Sequence, residues 1–324
     1  MPALRLATRG SPLALRQTAM VADLLQAAHP GLAVEPVIVR TKGDQDPTTP
    51  LDRLGGQGIF VTEVEAAVAD GRADAAVHSA KDLPSVMPAH LALGAVPPRA
   101  DPRDGLVGAT LRALGPGAVV ATGSARRRAQ LAWLRPDLIF TQLRGNMARR
   151  VEVGRSDHVA AVVVAVAALE RLGWSDQVDD VLDPEDVLPQ AGQGSIAVQC
   201  RADDTTTHEL LAAIDDQASH CALRAERAVL ATLGGSCTVP VAAHAVRRTD
   251  GRLRVTGLVA SGDGRRLIRL FRDGQDPGSD PEVLGAHVAR ALLAGGGSAI
   301  DGFDDVALAG SPEAPPEAGS EAGS

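Results

Sequence analysis

The stretch RADAAVHSAKDLP, residues 72–84, places a lysine and a carboxylate side by side at the end of an apolar run. Residues 73–77 are small and apolar enough to form a covered strand of a parallel sheet, and Pro84 prevents its continuation. In open α/β sheets, ligands bind beyond the carboxyl ends of the strands. Lys81 and Asp82 are therefore candidate functional residues, although a surface Lys-Asp turn would give the same sequence.

The composition narrows the class of protein. Lysine occurs only at positions 42 and 81 among 32 basic residues, so an ammonium at Lys81 indicates a need for a compact charge rather than a planar guanidinium. The net charge of -8 argues against a protein that binds nucleic acid or a membrane surface. Three cysteines without C-x-x-C spacing make a disulfide framework or a zinc site improbable.

Segments that would direct the chain to or across a membrane are not recognisable. The first ten residues, MPALRLATRG, contain no apolar core of signal-peptide length. No window reaches the roughly 18 apolar residues of a membrane span. We therefore expect a cytoplasmic protein.

The turns that join strands to helices carry groups that could bind anions. Residues 4–8 form a predicted strand, and Ser11 followed by Pro12 begins a predicted helix. Arg9 and Ser11 then lie at a helix amino terminus, where backbone N–H groups and the helix dipole favour an anion. Ser11 could equally serve only as the helix cap.

The second part of the chain repeats this arrangement. A strand at residues 118–122 leads into SARRRAQ, so that three arginines lie at a helix amino terminus, where a bound anion would offset their repulsion by the dipole. A solvated run of charge is the alternative. A buried strand of a parallel sheet is predicted at residues 159–166. Later strand ends and helices place further arginines at positions 144, 149, 150 and 171.

The length of 324 residues predicts two or three domains. Prolines in residues 97–105 mark a boundary, and residues 188–200 could return the chain to the first domain. Strands and helices after residue 215 predict a small α+β unit. The expected bounds are residues 1–96 with 194–214 for domain 1, 97–193 for domain 2, 215–308 for domain 3, and 309–324 for a disordered tail.

Ten motifs in order resemble the hydroxymethylbilane synthase, or porphobilinogen deaminase, family. The similarity runs from Leu4 to roughly Asp301, and each motif alone would be weak. The motifs are RLATRGSPLAL, GGQGIF, ADAAVHSAKDLP, DPRD, SARRRAQ, RPDL, LRGN, AVAALERLG, LPQAGQG and GGSCTVP.

The resemblance implies a fold and a reaction. The fold would be α/β, with two periplasmic-binding-protein-like α/β domains plus a smaller α+β C-terminal domain. The reaction would join four porphobilinogen molecules head to tail, with loss of ammonia, and release the linear tetrapyrrole hydroxymethylbilane. A dipyrromethane primer would be held as a thioether on Cys237, in the loop GGSCTVP. A monomer that binds no metal is expected.

The resemblance also assigns roles to residues. Asp82 would be the catalytic carboxylate, because it could stabilise the azafulvenium cation that forms when an aminomethylpyrrole loses its amine. Cofactor binding would involve Cys237, Lys81, Ser79, Ser124, Arg126, Arg127 and Arg144. Substrate binding would involve Arg9, Ser11, Arg150 and Arg171. Arg128 and Arg149 extend the arginine runs, without an assigned position.

At three positions the residue differs from the one that is common in the family. Gln57 stands where lysine is common, Gly123 where a hydroxyl residue is common, and Ser236 where glycine is frequent. None of these changes removes the predicted carboxylate, thiol or arginines. The alternative from another class is a two-lobed module that closes on a carboxylate ligand without chemistry, which would not explain the cysteine loop.

Overall fold

A computed structural model describes residues 3–41, 58, 61–234, 239–276 and 278–300 of the protein. Cys237, the predicted attachment point of the primer, lies outside these residues, as do Gln57 and Ser236. The other predicted site residues lie within the described ranges.

The first of two five-stranded sheets is built from both early and late parts of the chain. Its strands are β1 (Leu4–Arg9), β2 (Val34–Val39), β3 (Ala75–Ser79), β4 (Leu91–Ala95) and β10 (Ile196–Arg201). The strand order is β2-β1-β3-β10-β4. β1 pairs in parallel with β2 and β3, whereas β10 is antiparallel to both of its neighbours.

The second five-stranded sheet has an equivalent order. Its strands are β5 (Asp104–Val107), β6 (Val119–Ala121), β7 (Ile139–Thr141), β8 (Ala161–Ala165) and β9 (Asp180–Val181). They are arranged as β7-β6-β8-β5-β9, with β6 parallel to β7 and β8 and with β5 antiparallel to β8 and β9. In both sheets the strand in the fourth place, β5 or β10, is the one that follows a crossing from the other sheet.

Helices cover these two sheets and begin at side-chain caps where the sequence predicts them. Ser11 accepts a hydrogen bond from the backbone of Ala14, and Ser124 accepts one from the backbone of Arg127. The helices of this part are α1 (Pro12–Ala28), α2 (Thr62–Ala69), α3 (Ala125–Leu134), α4 (Met147–Gly154), α5 (Val166–Arg171) and α6 (Thr205–Ala212).

A smaller α+β domain follows. It contains an antiparallel sheet of β11 (Val241–Arg247), β12 (Leu253–Ala260) and β13 (Leu267–Asp273), covered by α7 (Gln217–Thr232) and α8 (Pro281–Ala294). Its core packs Val229, Val255, Val288 and Leu292, all fully buried, between the helices and the sheet. With two similar α/β domains before it, the predicted fold class is confirmed.

The prediction of parallel sheets is wrong in part. β3 is parallel to β1 but antiparallel to β10, and β8 is parallel to β6 but antiparallel to β5. A fully apolar strand fits either neighbour direction, so its composition does not determine the pairing. The proline-rich boundary at residues 97–105 also proves too long at its end, because β5 begins at Asp104.

Two chain crossings, residues 96–103 and 188–195, lie against each other between the larger domains. The backbone N–H of Ala100 donates to Gly194 O at 3.1 Å, and Arg99 Nε donates to Gln193 O at 2.8 Å. Glu226 on α7 joins them to the smaller domain, because its buried carboxylate accepts from Arg99 and from the N–H of Gly192. Burial would raise the pKa of Glu226, but the Arg99 guanidinium holds it down to about 2.

No helix within the described ranges is long and apolar enough to cross a membrane.

Gly194 is a sensitive point of the crossings, since its φ is +86° and an added Cβ would lie 2.4 Å from Ala100 O. We expect Gly194→Ala to lower the free energy of unfolding by about 2–4 kcal/mol, from backbone strain and overpacking together. Gly173 is the control: its φ is +73°, but an added Cβ would meet nothing within 4 Å. Gly173→Ala should cost only about 1 kcal/mol. Equal losses in denaturant titrations would contradict this description of the crossings.

Candidate active site

The end of β3 presents Lys81 and Asp82, the predicted cofactor-binding and catalytic residues, on a short turn. After Ser79 the chain forms one turn of 3-10 helix, Ala80–Asp82. Ala80 N donates to Ser195 O at 3.0 Å, and the side chain of Leu83 is buried on the far side of the turn. The Lys81 and Asp82 side chains therefore project from a backbone that is held at both ends.

Asp82 lies in a small cleft between the end of β3 and the beginning of α1. The polar residues lining this cleft are Arg9, Ser11, Gln17, His78, Ser79 and Asp82. The Ser79 hydroxyl and the Gln17 side chain hydrogen-bond to each other at 3.0 to 3.1 Å. The structure thus brings four predicted residues, Arg9, Ser11, Ser79 and Asp82, into one site. Ser11 also caps α1, as the alternative interpretation of this serine predicts.

His78 supplies a neutral group to the wall of the same cleft. Its side chain is 6% exposed, and burial together with the nearby Arg9 charge lowers its pKa to about 4. The imidazole is therefore uncharged at neutral pH. In the described part of the chain, His78 Nε2 has no hydrogen-bond partner. His78 is thus an uncharged residue among those that line the Asp82 cleft.

Lys81 faces a different set of groups from Asp82. Its Nζ donates to Gln193 Oε1 at 3.3 Å. Burial, and next the positive charge of Arg127, lower the pKa of Lys81 to about 8. The side chain therefore remains mostly an ammonium at neutral pH and loses its charge as the pH rises through about 8.

Two of the three arginines of SARRRAQ are buried, so for these two the alternative of a solvated charge run is wrong. Arg126 and Arg127 are each 5% exposed, and both contact the fully buried Asp104. Arg127 donates through Nε and Nη2 to Asp104 Oδ1 and through Nη1 to Val163 O. Burial would raise the pKa of Asp104, but the two guanidinium groups hold it well below its usual value. Asp104 therefore stays ionised.

Several guanidinium nitrogen atoms are buried with no hydrogen-bond partner among the described residues: Arg126 Nε and Nη2, Arg144 Nη1, and Arg171 Nε. Burial lowers the pKa of Arg171 to about 10 even though its Nη2 donates to Gly194 O. Burial and the Arg127 charge likewise lower the pKa of Arg150 to about 10. Desolvated cations with unused donors suit an anionic ligand. A primer and substrate that carry carboxylates fit this donor set.

The structure separates the two unassigned arginines from this group. Arg128 is exposed and donates to Gly262 O in the smaller domain, and Arg149 forms an exposed ion pair with Glu152 at 2.8 Å.

The presence of glycine at position 123, where a hydroxyl residue is common in the family, has a structural reason: an added Cβ would lie 2.6 Å from Leu143 O. The glycine lets these two turns approach closely.

Three residues of the site were not predicted as functional: Gln17 in the Asp82 cleft, Asp104, which pairs with the arginines, and Gln193, which contacts Lys81 and Asp104. Asp104 ends the motif DPRD, which lies within the predicted domain boundary at residues 97–105. Gln193 is fully buried between two glycines at positive φ, Gly192 and Gly194. A large amide between two glycines was the signal that could have indicated a fixed contact.

Comparison with known proteins identifies the family. Residues 4–209 match "Porphobilinogen deaminase, dipyromethane cofactor binding domain", and residues 220–294 match "Porphobilinogen deaminase, C-terminal domain". The porphobilinogen deaminases of Roseiflexus sp. (strain RS-1) and Roseiflexus castenholzii (strain DSM 13941 / HLO8) are 48% and 47% identical to this chain. The alignments cover 90% and 92% of this chain and 96% and 98% of those relatives.

A solved structure, the periplasmic aliphatic sulphonate binding protein SsuA from Escherichia coli, aligns over 73% of this chain and 76% of its own, at 17% identity and a TM-score of 0.37. The fold class does not rest on this similarity but on the strand orders of the two five-stranded sheets.

The fold and the site define a three-domain α/β protein with a carboxylate at a strand end and desolvated arginines nearby. The chain belongs to the porphobilinogen deaminase family, so the resemblance carried by its motifs is confirmed.

The buried charge cluster yields a prediction about stability. Asp104→Asn leaves Arg126 and Arg127 without their shared carboxylate, so we expect a loss of about 3–5 kcal/mol in the free energy of unfolding. Asp101→Asn is the control, because its partner Arg103 is 44% exposed, and it should cost less than about 1 kcal/mol. A small loss for Asp104→Asn in denaturant titrations would show that the arginines do not depend on that carboxylate.

Proposed function

We propose that this chain is a hydroxymethylbilane synthase, a transferase that joins four porphobilinogen molecules stepwise and releases the linear tetrapyrrole after hydrolysis. The observation that carries the proposal is 48% identity to a porphobilinogen deaminase, 96% of whose length is aligned. Asp82 in a cleft at a strand end, with several buried arginines nearby, supplies groups suited to this chemistry.

Asp82 is the proposed catalytic residue. When porphobilinogen loses its amine, positive charge spreads over the pyrrole ring and its nitrogen. A carboxylate beside that nitrogen stabilises the charge as it develops, which lowers the barrier rather than only strengthening binding. When protonated, the Asp82 carboxyl can give a proton to the departing amine, and the carboxylate so formed can later accept one from the newly bonded ring carbon.

Lys81 and the serines are proposed to orient anionic groups beside Asp82. Lys81 carries a positive charge at neutral pH and lies in the electrostatic field of Asp82 and Asp104. Ser79 lies in the Asp82 cleft, and Ser124 lies at the amino terminus of α3. Their hydroxyls can donate to a carboxylate, and the helix terminus adds favourable backbone dipoles.

The arginines are proposed to hold the side chains of the growing polymer. Each pyrrole carries an acetate and a propionate, so negative charge accumulates with every unit. Guanidinium groups bind carboxylates through two parallel donors. Arg126 and Arg144, with unused donors in the described structure, suit the primer, as does Arg127. Arg9, Arg150 and Arg171, with Ser11, suit incoming substrate.

A dipyrromethane is the proposed resident cofactor, attached through the sulfur of Cys237. When bound, it supplies the nucleophilic pyrrole carbon to which the first substrate unit is joined. The match of residues 4–209 to the dipyromethane cofactor binding domain supports this assignment. The unused donors of Arg126 and Arg144 provide partners for its carboxylates.

The remaining features of the proposal concern organisation. Domain bounds of 1–96 with 194–214, 97–193 and 215–308 are supported by the strands that each sheet contains, and residues 309–324 are proposed as a tail. We also propose a cytoplasmic monomer that acts on a small molecule, porphobilinogen, and does not bind nucleic acid or membranes. The net charge of -8 supports the last point.

The covalent primer can be tested by intact-protein mass spectrometry. We expect the purified protein to be heavier than its sequence by one dipyrromethane, and Cys237→Ser to have the mass of its sequence, because the serine hydroxyl cannot form the thioether. Cys221→Ser is the control and should keep the additional mass. A wild-type protein of sequence mass that binds carboxylates without reaction would instead support the ligand-binding module.

The role of Asp82 can be tested by Asp82→Asn, which keeps the size of the side chain but removes its charge. We expect the variant to lose at least about a hundredfold in kcat, as when one electrostatic stabiliser of a transition state is removed. Asp70→Asn is the control, since Asp70 is exposed at the end of α2, and should stay within about twofold. Turnover of porphobilinogen by Asp82→Asn at the wild-type rate would remove Asp82 from the mechanism.

A further inference from the structure

Gln193 is a buried amide whose side chain connects three parts of the site. Its Oε1 accepts from Lys81 Nζ at 3.3 Å, and its Nε2 donates to Asp104 Oδ1 at 2.8 Å and to Pro102 O at 2.7 Å. Its side chain is fully buried. One side chain thus links the residue before Asp82 to the carboxylate that holds Arg126 and Arg127.

The orientation of this amide follows from its partners. Asp104 and Pro102 present only acceptor oxygens, so the NH₂ group must face them and both of its hydrogens are used. The carbonyl oxygen is then left facing Lys81. Among the described residues, the ammonium of Lys81 is therefore held by a neutral acceptor and not by a carboxylate.

The loop around Gln193 also holds the backbone of Lys81. Gln190 Nε2 donates to Lys81 O at 3.2 Å, and an added Cβ at Gly192 would lie 2.9 Å from Lys81 N. On the other side, Arg99 Nε donates to Gln193 O at 2.8 Å. Contacts on both segments, the one around Lys81 and the one around Gln193, thus set the separation between Gln193 Oε1 and Lys81.

Four charged groups act on the Lys81 ammonium. Asp82 and Asp104 favour its charged form, whereas Arg127 and Arg150 oppose it. Burial has the largest effect on the pKa of Lys81, and the two negative and two positive charges balance in number. The Gln193 oxygen, which accepts from the ammonium, adds an uncharged contact that favours the charged form.

We propose that Gln193 is a positioning residue that holds the Lys81 ammonium beside Asp82 through a neutral oxygen and leaves its charge available to a carboxylate of primer or substrate. This inference rests on the function proposed above. A carboxylate at position 193 would orient Nζ equally well, but it would neutralise the charge and repel Asp104. The amide orients the cation without competing with the anionic ligand.

The scarcity of lysine makes this proposal directly measurable. The chain contains lysine only at positions 42 and 81. Holoenzyme produced with ¹³C-labelled lysine should give two Hε–Cε signals by NMR, and Lys42→Arg assigns them. The titration of the Lys81 signal with pH then reports the charge of its ammonium in the intact, primer-bearing protein.

Two substitutions should move that titration in opposite directions. Gln193→Met removes the acceptor, so the midpoint for Lys81 should fall by at least about half a pH unit. Gln193→Glu adds a negative charge beside Nζ, so the midpoint should rise by at least about half a pH unit. Gln190→Met is the matched control, because the Gln190 side chain donates to the backbone oxygen of Lys81 and not to its ammonium, and the midpoint should not move.

The proposal is supported if the Lys81 midpoint rises from Gln193→Met to wild type to Gln193→Glu. Any other order, or equal midpoints, overturns it. If Gln193→Glu does not fold, the comparison of Gln193→Met with wild type decides alone. Porphobilinogen consumption is followed on the same samples. If the protein carries the primer and is active, but substitutions at position 193 do not change the Lys81 midpoint, only this inference is overturned. If the wild type consumes no porphobilinogen, the proposed function is overturned.

Discussion

The site depends on one buried carboxylate, Asp104, which is shared by two desolvated guanidinium groups. Arg126 Nη1 lies 2.7 Å from Asp104 Oδ2, and Arg127 Nη2 lies 2.7 Å from Oδ1. Burying two positive charges and one negative charge is costly unless each has close partners. Asp104 also receives the amide of Gln193. The same carboxylate therefore stabilises the second domain and fixes the contact by which Gln193 reaches Lys81 in the first.

The arginines near this carboxylate divide according to how fully their donors are used. Arg127 donates through all three of its nitrogen atoms to Asp104 and Val163, so it stabilises the protein as well as contributing positive charge. Arg126, Arg144 and Arg171 each keep at least one buried nitrogen without a hydrogen bond in the ranges that the structure describes. A buried donor without a partner is unfavourable and becomes favourable when it binds a carboxylate. A polymer with two carboxylates on every ring supplies them repeatedly.

The sequence predicts much of this arrangement, because many of its signals are local. Serine caps at positions 11 and 124, the strand end before Lys81 and the order of the family motifs all lie within short stretches, and the structure has the predicted caps and fold class. What the sequence does not predict depends on distant pairs. Asp104 and Gln193 are hydrogen-bonded although 89 positions separate them in the sequence. An apolar strand such as β3 can pair with either a parallel or an antiparallel neighbour. Which carboxylate neutralises the arginines therefore emerges only in three dimensions.

The central claim is that a carboxylate at a strand end promotes condensation of a substrate whose anionic side chains are held by arginines. The most direct test is to mix the protein with less than four equivalents of porphobilinogen, quench within the first turnover and measure the intact mass. The account predicts a ladder of species that are heavier by one, two and three condensed units, and release of free linear tetrapyrrole once excess porphobilinogen is added. A protein whose mass never changes while porphobilinogen remains intact would contradict it.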